Sequence, residues 1–197
     1  MNLDFYYKGD RNYVHGTSMY EEIMTLLESR GFHRISNLDW RFGKILRNNL
    51  DYEILRDYQL KGREWDSSLK FTFNGFNYVV ILKENNSRIA KRKVYLESSI
   101  VEKTQCNIAN KSINLRRIEG FTTIECLVAI NKALHEKVLN PASGKWYFTR
   151  LQIQKPLPSN WSSLDVYLVN AKNARLTKGD VYIDEQCIGC IFFSLKV

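Results

Sequence analysis

Two short stretches decide the predicted fold, "YVHGTSMYEE" at residues 13–22 and "RIEGFTTIEC" at residues 117–126. Each has a glycine, a small hydroxyl residue two positions later and a glutamate three positions after that, and apolar residues at helical spacing follow. Gly120 lies 104 positions after Gly16, so the stretches fall in opposite halves of the 197-residue chain. The pattern predicts two helices that begin alike, one in each half.

Two further pairs of short motifs follow in the same order. "WRF" at 40–42 matches "WYF" at 146–148 with an offset of 106, and "SSLKF" from Ser67 matches "SSLDV" from Ser162 with an offset of 95. Because the offsets change only across predicted loops, the three pairs indicate a duplicated unit. We expect a first repeat at 1–90, a basic connecting segment at 91–107 and a second repeat at 108–197.

Apolar residues at helical spacing predict one buried helix in each repeat. Gly31 lies where a left-handed residue often ends a helix, and the second helix runs toward Asn140 and Pro141. The apolar stripes are Tyr20, Ile23, Met24 and Leu27 in the first helix, and Ile124, Leu127, Val128 and Leu134 in the second.

Alternating aromatic and β-branched residues predict strands after each helix. "LKFTFNGFNYVVILKE" at 69–84 turns at Asn74-Gly75, a strong hairpin signal, and "DVYIDEQCIGCIFFSLKV" at 180–197 predicts a second hairpin. Since strands and helices do not alternate, the sheet should be antiparallel. The predicted class is α+β, with the long helix of each repeat packed on an antiparallel sheet.

The composition is that of a folded protein. Hydrophobic residues make up 44% of the chain and aromatic residues 13%, which is enough for a packed core. The sequence opens without the basic start and apolar run of a signal peptide, and no stretch has the roughly 18 apolar residues of a membrane helix. We therefore expect a soluble, cytoplasmic protein without a membrane partner.

The net charge of +8 predicts an anionic partner. The candidates are nucleic acid, the phosphates of CoA and an acidic acyl carrier protein. The densest basic clusters are "SRIAKRKVY" at 87–95 and "NLRRIEG" at 114–120. Such runs are equally typical of a solvated linker and strand edge, so both interpretations stay open.

The four cysteines fit a reducing compartment, because their spacing does not suggest a disulfide framework. "CIGC" at 187–190 is a lone CxxC within an apolar, strand-like run. A structural zinc site would require a second pair at ligand spacing. Core cysteines are therefore the favoured interpretation, and no metal site is predicted.

A buried helix wrapped by an antiparallel sheet, preceded by a strand and loop and present twice, resembles the double hotdog arrangement of the hotdog superfamily. The resemblance covers nearly the whole chain in architecture. It implies two units that pair their sheets edge to edge, with an acyl-thioester site at their interface near the helix N-termini. It also points to the dehydratases and thioesterases of acyl-CoA and acyl carrier protein, although a fold does not by itself fix a function.

Glu21 and Glu125 are catalytic candidates because the repeat singles them out. In the β-hydroxyacyl carrier protein dehydratases that the chain resembles, an acid five residues after a helix-opening glycine protonates the departing hydroxyl, and both stretches match that spacing. The structural alternative is a pair of capping boxes, Ser18 with Glu21 and Thr122 with Glu125. Capping explains both copies and is the favoured interpretation.

His15 is the sharper catalytic candidate, since its counterpart in the second repeat is Glu119. An imidazole with a pKa of about 6.5 suits removal of a proton beside an activated carbonyl. The amides of Gly16 and Thr17, with Gly120 in the second copy, are expected to bind that carbonyl at a helix N-terminus. The family dehydratases place their histidine earlier, in an HxxxGxxxxPG-type loop that this sequence lacks, so a local hydrogen-bonding role is an equal alternative.

Asp10 is a candidate by resemblance to the hydroxybenzoyl-CoA thioesterases, in which an Asp before the helix activates water or attacks the thioester. The residues after it do not reproduce that family's DxD-type pattern, and "KGD" is also typical of a plain turn. Arg11 and Asn12 are candidates for contacting an anionic ligand. His33 and His135 fall near predicted helix ends, where a cation is favoured, and receive no catalytic role.

Other chemistries find little support in the motifs. The sequence has no G-x-x-x-x-G-K-[ST] loop, dinucleotide fingerprint, HExxH or GxSxG motif, so no cofactor is predicted. "RKVY" and "KWYFTR" alternate basic and aromatic residues, as RNA binders do, but core packing is the usual role of aromatics in strands. The prediction is an acyl-thioester processing protein of dehydratase type. A thioesterase and a non-catalytic carrier-protein or RNA binding module are the alternatives, and assembly into a homo-oligomer stays open.

Overall fold

The computed structural model describes residues 1–141, 143–172 and 175–196. The chain forms two compact units, Met1–Tyr95 with Gln154–Pro156 and Leu96–Ile153 with Leu157–Val197. None of the helices in the described part of the chain is long and apolar enough to cross a membrane.

The first unit has one α-helix, a short 3-10 helix and seven strands. They are β1 (Asn2–Leu3), β2 (Tyr7–Lys8), α1 (Gly16–Ser29), β3 (Ser36–Phe42), β4 (Asn48–Arg56), the 3-10 helix (Asp57–Leu60), β5 (Ser67–Phe73), β6 (Phe76–Arg88) and β7 (Arg92–Lys93). Five strands pair antiparallel in the order β1-β4-β6-β5-β3, and β2 pairs with β7 in a separate parallel ribbon.

Among its described residues, the second unit has two helices and six strands. They are α2 (Glu97–Val101), β8 (Thr104–Asn107), β9 (Ser112–Arg116), α3 (Thr123–Leu139), β10 (Lys145–Ile153), β11 (Ser163–Lys172), β12 (Leu176–Ile183) and β13 (Gln186–Lys196). All six strands pair antiparallel, in the order β8-β9-β11-β12-β13-β10. Few helices and large antiparallel sheets confirm the predicted α+β class. The predicted connecting segment, 91–107, contains β7, α2 and β8.

Both predicted hairpins are confirmed, and their turns explain why. Asn74 and Gly75 join β5 to β6 with φ of 48° and 77°, and Asp184 and Glu185 join β12 to β13 with φ of 48° and 65°. Positive φ at both central residues matches the right-handed twist of the flanking strands. Val197, the last residue of the second predicted hairpin, lies outside the described residues.

The two long helices bury the predicted apolar stripes. The second stripe is buried completely, and in the first only Met24 is half-exposed. Burying a Leu or Ile side chain stabilises the fold by about 1.5–3 kcal/mol. Gly31, with φ of 82°, follows the end of α1, and Asn140 ends α3 in the left-handed conformation with φ of 36°.

The sheets of the two units differ in strand order. After its helix, the first unit pairs its next four strands as β4-β6-β5-β3, while the second pairs them as β11-β12-β13-β10. The third and fourth strands have therefore exchanged places. "WRF" and "WYF" both lie on the first strand after the helix, but "SSLKF" lies on the third strand and "SSLDV" covers the start of the second. Descent from one duplicated unit stays a prediction.

His135 lies one turn before the end of α3, as predicted, but its environment does not favour a cation. Its ring is buried, 4.7 Å from that of Trp146 and 5.3 Å from that of Phe193. Its Nδ1 is 2.5 Å from the carbonyl oxygen of Asn131, and Nε2 contacts the Thr177 hydroxyl. Burial lowers the pKa of His135 to about 4, so the ring is neutral near pH 7.

The prediction that the cysteines of the CxxC motif lie in the core is wrong. Cys187 is exposed and Cys190 half-buried, so they are not core cysteines. Both lie on β13, whose side chains alternate between the core and the opposite face. Cys126 is the buried cysteine, and burial raises the pKa of its thiol to about 12.

Candidate functional site

The candidate site lies at the N-terminus of α1 in the first unit. His15 is the residue that precedes the helix, with extended backbone at φ −73° and ψ 136°, and Gly16 is the first helical residue. The amides of Gly16 and Thr17 have no acceptor within the helix, because the partner carbonyls would precede it. They are aligned with the positive end of the helix dipole, which favours a partial or full negative charge.

A hydroxyl links a histidine to a lysine at this position. His15 Nδ1 lies 2.8 Å from Thr17 Oγ1, and Lys8 Nζ donates to the same oxygen over 2.9 Å. All three residues are buried, Lys8 being only 3% exposed. A buried ammonium requires polar partners, so Lys8 fixes the position of the Thr17 hydroxyl.

Glu21 and Tyr95 complete the cluster. Lys8 Nζ lies 3.6 Å from Glu21 Oε2, so the glutamate one turn further along α1 balances the lysine charge. The ring of Tyr95 lies 5.8 Å from that of His15 and 5.5 Å from Lys8 Nζ. Arg11 lies 5.3 Å above the same tyrosine ring. Lys8, Arg11 and His15 therefore all pack against the ring of Tyr95.

The β2-β7 ribbon holds these side chains in place. The Tyr7 amide donates to the Lys91 carbonyl and the Gly9 amide to the Lys93 carbonyl, at 3.0 and 2.9 Å. The Arg92 guanidinium donates to the carbonyls of Gly9 and Arg11. The ribbon thereby ties the segment containing Lys8 to the segment that ends in Tyr95.

The helix start of the second unit is built differently. Thr122 Oγ1 accepts from the Glu125 amide at 3.4 Å, and Glu125 Oε2 accepts from the Thr122 amide at 3.0 Å. This confirms the predicted capping box. Thr123, the first helical residue, donates to the Pro158 carbonyl and accepts from the Trp161 indole. Glu125 is thus occupied in closing the first turn.

The prediction of a matching capping box in the first unit is wrong. Ser18 is the third residue of α1 rather than its cap, because the helix begins three positions earlier relative to the repeat. Its hydroxyl is buried without a hydrogen-bond partner in the described part of the chain. Glu21 therefore pairs with Lys8 and does not cap α1.

The remaining predicted residues lie around these two helix starts. Asp10 and Asn12 are exposed in the turn after β2, on either side of Arg11. Gly120 is exposed in a turn with φ of 84°, two residues before the cap of α3, and Glu119 is exposed beside it. The structure brings His15, Gly16, Thr17 and Glu21 together within one unit.

Sequence reasoning missed Lys8 and Tyr95. Lys8 lies within "YYKGD", where a lysine is ordinarily solvated, and its burial depends on the ribbon partner more than 80 positions away. Tyr95 ends the basic cluster "SRIAKRKVY", whose composition indicates a linker or a docking patch. The signal that the two segments share is their composition, aromatic residues beside basic ones in both "FYYK" and "KRKVY".

Comparisons with known proteins bear on the fold. No protein-family model and no curated protein matches the sequence. The chain is similar in structure to a candidate thioesterase from Novosphingobium aromaticivorans, with 14% identity over 96% of this chain and 90% of that chain and a TM-score of 0.50. It is also similar to the dehydratase domain of PpsC from Mycobacterium tuberculosis in complex with C12:1-CoA, with 9% identity, coverage of 93% and 85%, and a TM-score of 0.53. The chain has the fold of the hotdog superfamily.

Proposed function

We propose that the protein processes an acyl thioester of CoA or of a carrier protein, by dehydrating a 3-hydroxyacyl group at the N-terminus of α1. The observation that supports this proposal is the buried contact of His15 with Thr17 and Lys8, beside two helix amides without intrahelical acceptors. The fold supports it as well, because both similar structures are named for thioester or dehydratase chemistry.

The first step requires a base and a site for negative charge. The amides of Gly16 and Thr17 would hold the thioester oxygen, and charge that develops there on loss of the α-proton is stabilised by the helix dipole. His15 takes that proton through Nε2 when its own proton is on Nδ1 and donates to Thr17. The Thr17 oxygen has two acceptor positions, so it can serve both Lys8 and His15.

The second step requires a proton for the departing hydroxyl. The Lys8 ammonium lies in the same cluster and would donate that proton, so that the hydroxyl leaves as water, while Glu21 Oε2, 3.6 Å from Lys8 Nζ, balances the lysine charge. Glu125 is assigned no part, because its carboxylate closes the capping box of α3. The proposed set is therefore His15 as base, Gly16 and Thr17 as carbonyl site, and Lys8 with Glu21 as proton source.

The tautomer of His15 determines whether the residue can act as a base in dehydration or can only bind the thioester. If Thr17 donated to Nδ1 instead, neutral His15 would present an Nε2–H, which holds a carbonyl but does not remove a proton. Incubation with 3-hydroxyacyl thioesters in heavy water therefore tests the base. We expect the thioester to lose water and to exchange its α-hydrogen for deuterium. Mass spectrometry measures both changes.

His15→Gln is the direct test of the assignment. Loss of a general base lowers turnover by on the order of 10² or more. His33→Gln is the matched control, because His33 is exposed after the end of α1 and outside the cluster. Equal turnover in both variants would contradict the assignment. If the product is a free acid, the proposed activity becomes that of a thioesterase, which is the alternative proposal.

A further inference from the structure

The two cysteines of the CxxC motif lie on the same face of their sheet. Tyr182 of β12 is opposite Cys187 of β13, and Asp180 is opposite Cys190, so three steps along β13 match two along β12. Residues three apart in a regular strand point to opposite faces. The extra residue forms a bulge that cancels this alternation. The face is the one opposite the core, because Val181, between the two partners, is fully buried.

The bulge also shortens the distance between the cysteines. Two steps along an extended strand span about 6.6 Å, so the Cα atoms of Cys187 and Cys190 are about as far apart as those of Tyr182 and Asp180. Disulfides join residues whose Cα atoms are ~4.4–6.8 Å apart. The pair therefore reaches disulfide spacing only because of the bulge.

Gly189 fixes the bulge at this position. Its φ is 148°, and a Cβ there would overlap the carbonyl of Gln152 on β10. A residue with a side chain would therefore force β13 away from β10. The sequence order Cys-Ile-Gly-Cys places the glycine where a side chain would overlap the backbone of β10.

The two thiols differ in access. Cys187 is exposed, whereas Cys190 is half-buried with its Sγ 3.7 Å from Gln152 Oε1. Burial raises the pKa of the Cys190 thiol, even though Lys178 and Arg150 nearby oppose the rise. Cys187 is thus the thiol that a solution reagent meets first, and Cys190 follows.

We propose that Cys187 and Cys190 form a reversible disulfide by exchange with a low-molecular-weight disulfide. The Cys187 thiolate attacks one sulfur of that disulfide, whose S–S bond breaks and releases one thiolate. Cys190 gives its proton to solvent and attacks the Cys187 sulfur, releasing the second thiolate. The protein dithiol is oxidised and the small disulfide is reduced to two thiols.

Oxidised glutathione followed by intact-mass and peptide mapping tests the proposal. We expect the wild type to lose two hydrogens, to link 187 with 190 and to regain both hydrogens with dithiothreitol. Cys190→Ser should instead keep one glutathione on Cys187, since the second attack is missing. Cys106→Ser, which removes a cysteine outside the motif, should behave as the wild type.

Three results would overturn the inference. They are a stable glutathione adduct on wild-type Cys187, a link between two chains in place of the internal disulfide, and no reaction at either cysteine. The Cys190→Ser variant shows whether Cys187 is reactive, so a failure of the first attack is distinguished from a failure of ring closure.

Discussion

The hydroxyl of Thr17 determines the candidate site at the scale of single residues. It lies 2.9 Å from Lys8 Nζ and 2.8 Å from His15 Nδ1, and its removal leaves a buried ammonium with one partner fewer. We expect Thr17→Val to lower the free energy of unfolding by about 1.5–3 kcal/mol, the contribution of a hydrogen bond to a charged group. Urea unfolding measures this loss. Thr17→Ser keeps the hydroxyl and should lose much less; an unchanged stability of Thr17→Val would contradict the role of the hydroxyl.

His135 makes stability depend on pH. Its pKa is lowered to about 4 in the folded state, against an ordinary value of 6.5. On acidification the unfolded chain binds the proton first. The contribution of His135 is therefore complete above about pH 6.5 and is lost as the pH falls toward 4, by up to ~3 kcal/mol.

Urea unfolding at a series of pH values between 7 and 4 checks this dependence. His135→Gln should flatten the decline, while His33→Gln, which changes an exposed histidine, should leave it unchanged. An identical slope in the wild type and in His135→Gln would contradict the assignment.

The sequence identified His15 but not its environment. A histidine before a helix is visible in the pattern, whereas the burial of Lys8 and the position of Tyr95 depend on pairing between distant segments. The burial of His135 could not be predicted for the same reason. It lies one turn before the end of α3, and its apolar neighbours Trp146 and Phe193 come from other elements.

At the scale of elements, the two long helices begin with similar sequences but different caps. Thr122 exchanges two hydrogen bonds with Glu125, whereas the matching Ser18 is buried and unpaired in the described part of the chain. We expect Thr122→Ala to cost about 1 kcal/mol, the usual loss of an N-cap. Ser18→Ala should be neutral or stabilising, because it removes an unsatisfied buried hydroxyl. Thermal unfolding of the pair measures both, and similar losses at the two positions would refute the difference.

The hairpins could be predicted from sequence because their signal is local. Asn74-Gly75 determines its own turn, and the alternating residues on either side follow. The order of strands in a sheet has no such signal. The third and fourth strands after the helix occupy opposite positions in the sheets of the two units. This difference depends on which strand edges meet in the folded state, and the matching "SSL" motifs do not predict it.

At the scale of the whole molecule, only the first unit joins a histidine and an ion pair at the start of its long helix among the described residues. We therefore expect an asymmetric protein. Glu125→Ala should reduce stability through the lost cap while leaving turnover at the wild-type level, because the carboxylate has a structural role. Steady-state kinetics and thermal unfolding of the same preparation test both parts, and a loss of turnover without a loss of stability would argue for a second site.

The net charge of +8 gives a second expectation at this scale. Binding that depends on phosphate contacts weakens steeply with added salt, whereas an acyl chain held by apolar burial does not. The affinity for a long-chain acyl-CoA should therefore fall less between low and high salt than the affinity for RNA of similar charge. Fluorescence titration at several salt concentrations measures both, and parallel slopes would favour the nucleic-acid alternative.

The central claim is that the cluster at the start of α1 acts on an acyl thioester. The most direct measurement is mass spectrometry of wild type, His15→Gln and His33→Gln with a panel of 3-hydroxyacyl-CoA and acyl-carrier thioesters in heavy water. The account predicts a dehydrated product, together with α-deuterium in the recovered 3-hydroxyacyl thioester, from the wild type and His33→Gln, and turnover lower by on the order of 10² in His15→Gln. Thioesters that neither bind nor change mass with any of the three proteins would contradict it.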